Sequence, residues 1–153
     1  MEPYEAGIAK GRSRSIKTSV RGHIVVVLDT RRENRQLELI HPYSRCVTAS
    51  EVHELVLTDE QNAKPGSKVQ RVAGIGFMVF SQSGVVMVGD RFMSPGLGPL
   101  GTVVGFDVSH YPNHFNVVLY NDSWLTGREM GLYLNSEVLF SGESIWPAVT
   151  EDE

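Results

Sequence analysis

Short apolar runs separated by turn residues dominate the chain. His23 to Leu28 (HIVVVL) is a β-branched run and predicts a first strand. A charged turn follows from Asp29 to Arg35, and the alternating Leu37 to Ile40 (LELI) starts a second strand that Pro42 interrupts. Glu51 to Thr58 (EVHELVLT) predicts a third strand, and residues 59–67 (DEQNAKPGS) read as a loop. Val69 to Phe80 and Gly84 to Val88 predict a hairpin turning at Ser81 to Gly84. The Gly/Pro-rich SPGLGPLG, 94–101, reads as a loop. Thr102 to Phe106 and Phe115 to Tyr120 predict strands around a loop at Ser109 to Asn113. Asn121 to Arg128 reads as a loop, and Met130 to Leu134 and Glu137 to Phe140 as short closing strands.

No long stretch keeps a 3.6-residue apolar period, so the expectation is an all-β chain with little helix. Many short strands with regular turn signals fit a sandwich or a barrel. A compact small barrel, SH3-like or related, is favoured because closure removes exposed edges. The expected organisation is a flexible basic segment over 1–20, one barrel domain over 21–142, and an acidic tail over 143–153. The 153 residues suit one domain with a core of its own.

Charge narrows the partners. A net charge of −4 and a pI near 5.7 argue against nucleic acid, which usually meets a basic face. Lys10, Arg12, Arg14, Lys17 and Arg21 make a basic stretch near the start; the plainer reading is a solvated tail, the sharper one an arm for an anionic partner. The single cysteine, Cys46, excludes an intramolecular disulfide. No apolar signal region is visible, and no apolar run approaches the roughly 20 residues that span a bilayer. A cytoplasmic protein is therefore expected.

Candidate chemistry gathers in two places. The first is Glu51-Val-His53-Glu54. Residues i and i+2 of a strand share a face, so Glu51 and His53 go with Leu55 and Leu57. In the other register Val52, Glu54 and Val56 face inward and Glu54 is the buried acid. The sequence leaves both open. The second is Asp107-Val-Ser-His110-Tyr-Pro-Asn113-His114-Phe-Asn116. Pro112 lies between His110 and His114, which argues against a helical metal motif, although a loop can still bring both rings to one ligand. His23 and His41 read as ordinary surface or hydrogen-bonded histidines, and Cys46 reads as packing rather than a nucleophile. Arg45 and Arg71 are candidates to hold an anionic substrate, and Trp124 and Trp146 to roof a pocket. GIGF (74–77) and GLG (96–98) do not complete a dinucleotide fingerprint, and no GxSxG elbow is present.

VVMVGDRF (85–92) and LYLNSEVLF (132–140) echo one another as apolar run, polar turn and apolar restart, in the manner of small barrels. The strings EVHELVLT, RVAGIGF, GVVMVGD, GTVVGFDVSHYPNHFNVV and TGREMGL resemble a bacterial family of about this length, DUF6917, over roughly residues 20–140. HYPNHFN is the most distinctive of them. The resemblance implies no activity, because the family has none assigned.

Two functional expectations follow from the residues. The first is a small-molecule enzyme of hydrolase, isomerase or lyase type. Its catalytic groups are His53, Glu51 or Glu54, His110 and His114, with Asp107, Asn113, Asn116 and Arg45 binding substrate. A variant has His53, His110 and His114 binding a divalent metal such as zinc, with a position left for water. The second expectation is a non-catalytic barrel that binds a ligand or assembles as a homo-oligomer.

Overall fold

The computed structural model describes residues 14–141 and 143–145. Lys10, Arg12, Trp146 and the acidic residues 151–153 lie outside the described residues. Among the described residues the strands, in chain order, are β1 (Arg14–Ile16), β2 (Val20–Val27), β3 (Arg31–Arg32), β4 (Leu37–Glu38), β5 (Ser44–Val47), β6 (Val52–Thr58), β7 (Lys68–Val69), β8 (Val72–Phe80), β9 (Gly84–Met87), β10 (Arg91–Ser94), β11 (Gly98–Asp107), β12 (Asn116–Tyr120), β13 (Glu137–Phe140) and β14 (Glu143–Ile145). A short helix of one turn, α1 (Gly127–Met130), precedes β13. Among the described residues no helix is long and apolar enough to cross a membrane.

Seven strands close into a barrel in the order β2-β13-β10-β11-β12-β6-β8, and β8 pairs back onto β2. The fold is thus the all-β barrel that the patterning predicts. Six of the seven pairings are antiparallel. The exception is β12 against β6, which run parallel with Asn116 opposite Glu54 and Val118 opposite Val56. Ile24, Leu55, Leu57, Ile75, Phe80, Phe106, Val117 and Phe140 fill the interior, each at most 1% exposed. A second, smaller cluster lies on the outside of the same wall: Val56, Val72 and Val118 meet Leu37, Leu39 and Val69 from the β4–β7 ribbon. A β5–β9 ribbon adds Val47 and Val86 to the interior cluster.

Several predicted elements need correction. Residues 94–101 are not a loop: the turn is short, and β10 and β11 pair on either side of it, with Ser94 opposite Gly98. Residues 130–134 are not a strand. Thr126 caps α1 with a capping box, its hydroxyl accepting from Glu129 N–H (3.1 Å) while its own N–H donates to Glu129 (3.0 Å). Gly131, at φ 95°, ends the turn in the left-handed region. The long run 69–80 breaks because the amides of Gln70 and Arg71 both donate to the Glu60 carboxylate at 2.8 Å, outside the ladder. Part of the basic lead-in is built into the fold: Arg14–Ile16 pairs with Glu143–Ile145, and Lys17 bridges Asp90 (3.0 Å) and the Ser141 carbonyl (2.9 Å).

Helix α1 packs on β8 so closely that a Cβ at Gly127 would stand 1.9 Å from the Ile75 carbonyl oxygen. Gly127→Ala must therefore push the turn off the barrel. We expect a loss of about 1–3 kcal/mol or more in thermal or denaturant unfolding, and a wild-type melting temperature would show that the contact is not tight.

Candidate functional site

The register left open by the sequence is settled by packing. Leu55 and Leu57 belong to the interior cluster and Val56 to the outer one, so His53 faces inward and Glu54 outward. Two histidine–carboxylate pairs result, back to back on one wall of the barrel.

The inner pair sits at the barrel rim. The buried His53 ring stacks on Phe115 (3.7 Å between centroids, planes 23° apart) and meets Phe80 edge-on. The Phe115 backbone N–H donates to His53 Nδ1 (3.1 Å), which requires a lone pair there. The proton is then on Nε2, which donates to Glu51 Oε1 (2.7 Å). Both ring nitrogens are occupied and the tautomer is fixed. Burial pushes the His53 pKa down; the bond to Glu51 opposes this, and the nearby Arg45 charge adds to it. For Glu51, burial raises the pKa, but hydrogen bonds from His53 and Thr48 outweigh it and hold the carboxyl below its usual range.

Arg45 completes this rim. It shares a face of β5 with the core residue Val47, and its guanidinium lies over Phe115 (4.5 Å) and Tyr111 (5.8 Å). Among the described residues its guanidinium has no hydrogen bond or ion pair, and its Nε is buried without a partner. Tyr111 and Phe115 were not singled out by the sequence. Tyr111 lay inside a polar loop and Phe115 at the head of an apolar run, so neither carried a signal of its own.

The outer pair belongs to the 107–116 segment. His114 Nε2 donates to Glu54 Oε1 (3.2 Å), and Asn113 Nδ2 donates to His114 Nδ1 (2.7 Å). His110 stacks on His114 (5.0 Å, 19°), and Arg35 donates to its Nε2 at 3.1 Å. Arg35, in the charged turn, is a further participant that composition alone did not mark. Asp107 Oδ2 accepts from the Ser109 hydroxyl (2.7 Å) and Asn116 Nδ2 (2.8 Å).

The expected residues are therefore brought to two places rather than one. Glu51, His53 and Arg45 meet at the inner rim; Glu54, Asp107, His110, Asn113, His114 and Asn116 lie on the outer face. Among the described residues no group of three or more His, Cys, Asp or Glu side chains is arranged to hold a metal ion. His53 in particular is separated from His110 and His114 by the strand itself. The other candidates go elsewhere. Arg71 is taken by Asp59 (2.9 and 3.0 Å) and packs 3.8 Å over the Trp124 ring. Cys46 is exposed on β5.

Protonating His53 would place a second N–H against that of Phe115. With its folded pKa below the unfolded value of about 6.5, the unfolded state takes up the proton first. The His53 contribution to stability is therefore complete above that pH and is lost as pH falls below it. The depressed Glu51 pKa acts in the same direction at lower pH. His53→Phe, which leaves the buried Phe115 N–H unpaired, should cost about 1–3 kcal/mol and flatten the pH dependence of denaturant midpoints near pH 6. An unchanged slope would show that His53 does not titrate with unfolding.

No curated protein and no solved structure matches the chain. The family model for DUF6917, a family of unknown function, matches residues 14–141, which takes in the whole barrel and both histidine pairs. The chain belongs to the DUF6917 family.

Proposed function

We propose that this barrel is a binding domain for a small anionic organic molecule, taken at the inner rim with Arg45 as its anchor. The observation that carries this reading is the state of Arg45: half-buried, flanked by two aromatic rings, and without an acid among the described residues. A cation partly withdrawn from water ordinarily has a counter-charge, and cation–π contact of about 0.5–2 kcal/mol replaces only part of it. A carboxylate or phosphate would supply the rest through paired N–H donors of the guanidinium. Glu51, more than a third exposed, sits on the same rim and offers an acceptor to a ligand hydroxyl.

The acid/base alternative draws less support. A general base needs a free lone pair within reach of the substrate. The lone pair of His53 is held by Phe115 N–H and that of His114 by Asn113, so both rings act as braces. The exposed thiol of Cys46 favours a reducing compartment, and we place the protein in the cytoplasm.

Amide-resolved NMR titration with sodium phosphate and with sodium benzoate tests the reading. Saturable shifts should cluster at Arg45, Tyr111, Phe115 and His53, and Arg45→Gln should weaken binding by about tenfold or more, the worth of one charge-assisted hydrogen bond. Benzoate binding that survives Arg45→Gln, or no saturable shift with either anion, would overturn it.

A further inference from the structure

Arg45, half-buried, is not the only charge left without an opposite among the described residues. Phe106 points into the barrel, so the next residue, Asp107, faces out, away from the Arg45 rim. Asp107 is 3% exposed, and no Lys, Arg or His among the described residues forms an ion pair with it. All of its hydrogen bonds run to Oδ2, from Ser109 and Asn116; Oδ1 accepts none among the described residues. The Asn116 side chain that holds Oδ2 leaves its own Oδ1 buried and unpartnered. Asp107 Oδ1 is thus an acceptor with no donor among the described residues.

Asp107 also lines a cleft of about 740 Å³, between the 36–42 segment, Gly66 and Lys68 on one side and the 107–109 turn on the other. That volume is within the range of small-molecule sites, about 300–1,000 Å³. Leu39, Ile40 and Val108 give it apolar wall, and Glu38 adds a second carboxylate at its mouth, 75% exposed and only loosely paired with Lys68 at 3.8 Å.

We infer that this outer cleft is a second ligand site, which takes a small primary aliphatic amine with its ammonium group on Asp107 Oδ1. An ammonium carries three donors and no acceptor, matching a carboxylate oxygen that no donor among the described residues meets. The short aliphatic stem lies along Leu39, Ile40 and Val108. The site is independent of the Arg45 rim and stands if that reading fails.

The test is a titration of the full-length protein with butylamine, followed by amide NMR, with butyrate as the charge-reversed control. Butylamine should give saturable shifts confined to residues 36–42, 66–68 and 107–109, and butyrate none there. Asp107→Asn with its amide NH₂ facing the cleft keeps an oxygen for Ser109 and Asn116 but turns the cleft-facing acceptor into a donor; it should lower affinity at least tenfold. If Asp107→Asn fails to fold, Val108→Trp, which fills the cleft from a half-buried position, should give the same loss. No saturable shift with butylamine, equal binding of butyrate, or undiminished binding by a folded Asp107→Asn or Val108→Trp would overturn the inference.

Discussion

The parallel pairing of β6 with β12 is the constraint on which the rest of the molecule depends. It joins two segments some sixty residues apart in sequence, as the contact of His114 with Glu54 shows, and it closes the barrel between its two halves. It also decides the chemistry. With Asn116 opposite Glu54, the side chains of both strands alternate in phase: His53, Leu55, Phe115 and Val117 go in, and Glu54, Val56, His114 and Asn116 go out. A shift by one residue would exchange the faces, burying Glu54 in the interior. The bond from the Phe115 amide to His53 Nδ1 lies just ahead of this ladder and holds the register at its open end.

From this register follows a division of labour. His53 and His114 are each matched to a carboxylate on their own side and to a donor on their other nitrogen. Such fully satisfied polar groups rigidify a buried edge. Two charged groups are less completely met among the described residues: Arg45 at the inner rim keeps a buried Nε without a partner, and Asp107 at the outer cleft accepts hydrogen bonds at Oδ2 alone. Native proteins rarely leave buried charge uncompensated, so recognition is sought at these two residues and bracing is assigned to the imidazoles.

The long barrel strands were legible in the sequence because their apolar runs are bounded by turn residues; β2, β6, β8, β12 and β13 fall close to where the runs stand. The register of β6 was not legible, and the reason is physical. Both faces of this strand are buried, one in the barrel and one beneath the β4–β7 ribbon, so Val56 is as apolar as Leu55 and the alternation is erased. Strand β10 was missed because its four residues run directly into a Pro-Gly turn. The helical turn was misread although Thr126 and Glu129 carry the spacing of a capping box. For the candidate site, residue types were legible and their assembly was not. Glu51 with His53 is a local pair, found by counting along a strand. Arg45 over Phe115 and Arg35 on His110 depend on tertiary packing that no spacing encodes.

The most direct measurement is a crystal structure of the protein soaked with benzoate. The carboxylate is expected on the Arg45 guanidinium, with the bonds from Phe115 N–H to His53 and from His53 to Glu51 intact. A carboxylate seated instead on His53, His110 or His114, with Arg45 unengaged and the imidazole bonds broken, would contradict it.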